Sequence, residues 1–185
     1  GLITTKKKTL ANKLKYLRSH GMTQLSLDRT LGRISQYDVV EAGLNYRIDE
    51  LRSSLAIVQI SKLKKSNLQR KKIFFSYKKK LANLPITIPF QNISYSFKAA
   101  YHIFPILLPL GVNRDLLIKK LKKQGVQTST HYPPFWSFSK YKDIFNSKKY
   151  PVCEEICDRQ LTLPFFPNMK KEDITTVYLS LKKLL

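Results

Sequence analysis

From about Arg47 to Asn83 the chain keeps a helical pattern longer than any other it contains. Ile48, Leu51, Leu55 and Val58 mark one apolar stripe, and Phe74, Tyr77 and Leu81 mark a second. A helix of about 20 residues already spans a small domain, so a longer one must bridge parts. "LPITIPF" (84–90) closes the pattern with two prolines. A division near residue 84 follows, giving segments 1–83 and 84–185.

The two segments read differently. In the first, "GLITT" is a short β-branched stretch that starts on Gly, so the chain is expected to be a piece of something longer. Thr4 or Thr5 can cap a helix carrying Leu10, Leu14 and Leu17, and "RSHG" ends it with Gly21 at the expected C′ position. Residues 22–44 show no sustained period, and an ordered loop of that length is usually functional. In the second segment, strands are expected around 99–109 and in "VQTSTHY", where Val126, Thr128 and Thr130 alternate. Helices are expected from Asn113 to Gly125, around 149–160, and at the end, with Ile174, Val177, Tyr178 and Leu181 on one face. Alternating strands and helices argue α/β or α+β.

Composition excludes several classes. With 43 % hydrophobic and 25 % charged residues the chain is a globular protein and not a disordered tail. The longest apolar run, "IFPILLPLGV" (103–112), is too short to cross a bilayer and is broken by prolines. The basic block of "GLITTKKK" follows the apolar residues, the reverse of a secretory signal, so a cytoplasmic location with no membrane partner is expected. Cys153 and Cys157 share a helix face beside Val152 and Ile156 and read as buried thiols; His20, His102 and His131 are isolated, so no metal site is expected. His20 reads as a helix-terminal residue and His102, in "AAYHIFPI", as a packed one.

A formal charge of +22, from 34 Lys and Arg against 12 Asp and Glu, suggests an anionic partner, nucleic acid first. Yet the lysines fall in "KK" and "KKK" runs on solvent faces, and no nucleic-acid motif occurs. Lys, Ile, Asn, Phe and Tyr are plentiful together, as A- and T-rich coding would produce. That assigns the charge to solubility and non-specific binding.

"EAGLNYRIDE" (41–50) stands where the loop meets the long helix. Asn45 suits an N-cap, and Asp49 and Glu50 suit the positive end of the helix dipole.

Taken in order, "GLITT", "LRSHG", "YDVVEAGLNYRIDELRSSLAIVQISKL", "YHIFPI", "RDLLIKKLKKQGVQTSTHYPP" and "LTLPFFPNM" resemble the DegT/DnrJ/StrS-type aminotransferases, pyridoxal-phosphate (PLP) enzymes that mostly aminate keto-sugars carried on nucleotides. The resemblance covers nearly the whole chain. It implies an α/β fold: the C-terminal half of a fold-type-I PLP aminotransferase, comprising the end of the large domain, the connecting helix and a small α+β domain. It also implies that the Schiff-base lysine and the acidic partner of the pyridine nitrogen lie upstream, so no catalytic residue is expected in this chain and the segment alone is expected to be inactive. Asn45 takes the role of the family's cross-subunit ligand to the PLP phosphate in a homodimer, with Arg47 beside it on phosphate or paired with Glu50. His131 and Tyr132 match a position near the sugar-nucleotide pocket. The whole enzyme would move an amino group, typically from glutamate, in polysaccharide or O-antigen biosynthesis. Dehydration with the same cofactor, a non-catalytic relative that keeps the dimer surface, and a basic nucleic-acid-binding module are the alternatives.

Overall fold

The computed structural model describes residues 2–23, 31–32, 36–91, 99–142 and 150–185. In chain order they form α1 (Lys8–Leu17), α2 (Glu50–Lys80), β1 (Phe104–Leu107), α3 (Arg114–Lys123), a 3-10 turn (Phe135–Ser137), α4 (Pro151–Arg159), β2 (Gln160–Leu163) and α5 (Lys171–Leu184). Two compact units divide inside α2, Gly1–Ser61 and Lys62–Leu185, upstream of the boundary near residue 84 read from the sequence. Ile73, Tyr77 and Leu81 are part of the second unit's core, so the last turns of α2 belong to it.

In the first unit, Thr5 does not cap α1. Its Oγ1 accepts from the Lys7 N–H at 3.1 Å, and Lys7 itself stands at the N-cap position. Gly21 also differs from expectation, because the C-cap is Arg18 and Gly21 lies three residues further on. What demands glycine there is a backbone crossing. A Cβ on Gly21 would overlap the Glu41 carbonyl, and one on Gly43 would overlap the Gly21 nitrogen. The crossing is held by His20 N–H to Leu44 O (3.0 Å), Leu44 N–H to Leu17 O (2.7 Å) and Tyr46 N–H to Arg18 O (2.9 Å). Of the long loop, Met22 pairs with Val39, while residues 24–30 and 33–35 lie outside the described residues.

The second unit is built on an antiparallel pair, β1 and β2, in register Phe104 with Leu163 and Ile106 with Leu161. Single bridges extend it at both edges, Thr87 to Leu107 and Ser129 to Thr162. The expected strand in "VQTSTHY" is thus reduced to one bridge at Ser129. Against the sheet pack Ile73 and Tyr77 from α2, Leu81 just after it, Leu117 and Leu121 from α3, and Ile174, Val177 and Leu181 from α5. The Tyr77 hydroxyl donates to Pro164 O at 3.0 Å; burial first, and the Asp173 carboxylate second, push its ionisation well above the usual range. Asn113 caps α3 by accepting from the Leu116 N–H at 2.9 Å, and Gly125 follows at positive φ, as the sequence implies.

Two expectations of burial fail. Cys153 is exposed and Cys157 half-buried, because α4 turns their shared face outward together with Val152 and Ile156. Partial burial and the adjacent Cys153 push the Cys157 thiol up, away from the reactive thiolate. His102 is exposed, since it precedes β1 and the inward positions begin at Phe104.

Candidate functional site

Asn45 sits in the first unit, four residues before Asp49 in the approach to α2. The cap of α2 is Asp49: its Oδ1 accepts from the Arg52 N–H at 2.8 Å, and its Oδ2 pairs with the Arg52 guanidinium at 2.8 Å. The N-cap reading of Asn45 is therefore corrected. Asn45 instead forms an antiparallel bridge with Ser19 at the end of α1, which fixes its backbone and leaves the side chain exposed. Arg47 is exposed too and precedes the helix. Beside the crossing lies a groove of about 820 Å³, walled by Leu2, Leu14, Leu17, Leu44 and Tyr46.

His131 lies in the second unit on a cavity of about 170 Å³. Its ring is held by β2: Nδ1 is 3.0 Å from Thr162 Oγ1, and the His131 backbone N–H donates to Gln160 Oε1 at 3.0 Å. Gln160 Nε2 in turn donates to Thr162 Oγ1 at 2.6 Å. One threonine oxygen thus holds both the Gln160 amide and the His131 ring. Gln160 and Thr162 are both buried, and they alternate along the strand with Leu161 and Leu163, so β2 turns its apolar positions to the core and its polar ones to His131.

Tyr132 is 73 % exposed and meets the His131 ring edge-on at 5.0 Å. It is not among the cavity's walls, which include His102, Gln127, Ser129 and Phe165 besides His131 and Thr162. Sequence reasoning missed His102, Gln160 and Thr162; the polar-apolar alternation of "QLTL" was the available signal. His20 is exposed and keeps a left-handed backbone, its N–H spent on Leu44 O.

Among the described residues no lysine is buried, and no cluster of His, Cys, Asp and Glu could hold a metal. Lys13 is paired with Glu41 on the surface, while Lys78 and Lys80, half-buried, donate to Gln91 O and Thr175 Oγ1 at 2.8 Å each. The described residues thus offer polar donors but no enclosed amine.

A family model described as the DegT/DnrJ/EryC1/StrS aminotransferase family matches residues 1–182. The chain belongs to that family. A protein of Methanocaldococcus jannaschii is 31 % identical over 190 residues, a match covering 100 % of this chain and 49 % of the relative. Among solved structures, Spr1654 of Streptococcus pneumoniae in its PMP-form superposes with a TM-score of 0.84 at 21 % identity, over 100 % of this chain and 47 % of that one. Helicobacter pylori PseC, an aminotransferase involved in the biosynthesis of pseudoaminic acid, gives 0.83 at 24 % identity, over 97 % of this chain and 47 % of that one. The fold is therefore that of part of an α/β sugar aminotransferase, and the chain spans about half the length of the relatives it matches.

Proposed function

We propose that this chain is the C-terminal part of a PLP-dependent aminotransferase that moves an amino group, from glutamate, onto a nucleotide-linked keto-sugar, in a cytoplasmic homodimer whose active sites are shared between subunits. The observation that carries the reading is the family match over residues 1–182 in a chain about half as long as its relatives. The Spr1654 fold is known in PMP- and PLP-forms, which supports PLP as the cofactor.

The described residues fit the cofactor in one respect and not in another. An exposed Asn45 amide, on a backbone fixed by its bridge to Ser19, suits a phosphate, and the exposed Arg47 follows two residues on. The imine-forming amine would come from the upstream part of the longer protein, as no described lysine is enclosed. When bound, the cofactor supplies the electron-accepting ring that carries the amino group. In this chain, Asn45 and Arg47 would hold the phosphate, reaching it from the neighbouring subunit. His131 would hydrogen-bond the sugar nucleotide, and Tyr132 would lie beside it.

The test uses the full-length protein. Glutamate and a nucleotide-linked keto-sugar should together yield 2-oxoglutarate and the amino sugar. His131→Ala and Tyr132→Ala should raise KM for the sugar nucleotide and leave the half-reaction with glutamate nearly unchanged. Absence of any amino transfer, or equal loss in both half-reactions, would refute the corresponding part. In the chain by itself, borohydride reduction with PLP should label surface lysines diffusely. A single stoichiometric modified lysine within residues 1–185 would place the chemistry here after all.

A further inference from the structure

The second half of α2 has an outward face that neither the fold nor the proposed reaction uses. Lysine doublets repeat along it every seven residues: Lys64 and Lys65, Lys71 and Lys72, Lys78 and Lys79. Seven residues are close to two helical turns, so the doublets stack along one side of the helix about 10.5 Å apart. The opposite side carries Ile73 and Tyr77 into the core. Within the doublet-bearing arc, Leu68 and Phe75 lie between the two lysine files and are 54 % and 46 % exposed. Phe75 rests edge-on against Phe74 and faces Tyr101 at 6.4 Å, which holds it in place without covering it. Lys78 donates to Gln91 O, tying the turn that bears the exposed Phe90 to the same ridge.

Charge along this stretch is of one sign. No Asp or Glu occurs between Glu50 and Asp115, and among the described residues the ion pairs of α2 stop at Arg52 with Asp49. A solvated lysine face needs no apolar centre, and a nucleic-acid face would favour fork-shaped arginine donors over lysine point charges. Two bulky apolar residues flanked on both sides by lysines instead match a helix lying in the plane of a bilayer surface, apolar residues at the acyl boundary and ammonium groups at the phosphates.

We propose that this face of α2 docks the protein onto an anionic lipid surface. The sequence expectation of no membrane partner rested on the lack of a span and of a secretory signal, and none of the described helices is long and apolar enough to cross a membrane. A helix lying in the interface needs no span.

Vesicle flotation tests the proposal on the whole chain, since aggregates do not float. The protein should float with phosphatidylcholine vesicles containing about one-third phosphatidylglycerol and not with phosphatidylcholine alone, and less so as salt rises. Lys71→Gln with Lys72→Gln should weaken partition roughly tenfold or more. Leu68→Ser, alone and with Phe75→Ser, should weaken it further while leaving retention of duplex DNA or RNA unchanged; Trp136 fluorescence verifies that each variant is folded. Three results would overturn the proposal: no flotation, equal flotation with neutral vesicles, or vesicle binding indifferent to Leu68→Ser. Tight nucleic-acid binding lost with the lysines, without lipid binding, would assign the face to that polyanion instead.

Discussion

Residues 2–61 bury Ser19, Gly21 and Met22 among those described, whereas residues 62–185 enclose a contiguous core running from Ile73 to Leu181. One helix contributes to both units and behaves differently in each. In its second half, Ile73 and Tyr77 are buried on one side, while Leu68 and Phe75 on the other stay exposed. In its first half, Leu51, Leu55, Ile57, Val58 and Ile60 are distributed around the helix and exposed, Leu51 to 84 %. The second half thus finds a core to bury two of its apolar side chains in, while the first half buries none among the described residues. The contrast teaches that, among the described residues, the second unit has a contiguous core of its own and the first is held by backbone crossings.

The largest effect should come from emptying the second unit's core. Phe104→Ala removes a fully buried ring in contact with Tyr77 and Phe165 and should cost about 3–5 kcal/mol in urea unfolding followed at Trp136. Leu55→Ala in the same chain should change that transition by less than about 0.5 kcal/mol. If the two substitutions cost alike, the units are not independent in the way described.

Next comes the crossing. Gly43→Ala would drive a methyl group into the backbone at Gly21, so the amides of His20, Leu44 and Tyr46 should lose their hydrogen-exchange protection while the second unit keeps its own. Unchanged protection would mean that the glycines are not what permits the close approach.

A smaller pair of effects separates Asn45 from Asp49. In the full-length protein, if Asn45 holds the PLP phosphate as proposed, Asn45→Ala should weaken PLP retention by roughly 1.5–3 kcal/mol with little change in apo stability, because the cap is Asp49. Asp49→Ala should do the reverse, costing about 1 kcal/mol of stability with PLP affinity kept. An Asn45 variant that loses stability alone would remove its phosphate role.

The smallest effect is a pH response confined to the second unit. Because the folded state raises the Tyr77 pKa above its unfolded value, the stabilisation is complete below the ordinary tyrosine value of about 10 and declines as pH rises past it. Tyr77→Phe should flatten that alkaline decline in the Trp136 transition. An unaltered slope would assign the decline to other groups.

The local features of this protein were legible from sequence. α3 runs from its Asn113 cap to Gly125, and α5 buries Ile174, Val177 and Leu181 as their spacing implies, since capping, left-handed stops and helical stripes act within a few residues. The long helix was equally plain, and the residues quoted for the family sufficed to place the chain in it. Tertiary structure alone decided the rest. That Gly21 serves a crossing with Gly43, that Asn45 pairs with Ser19 and leaves the cap to Asp49, and that Thr162 and Gln160 anchor His131 from 31 and 29 residues away all depend on which distant segments meet. Such meetings are set by how the sheet and helices close over the core. Periodicity shows which face of an element is apolar, but not which polar groups the opposite face will find.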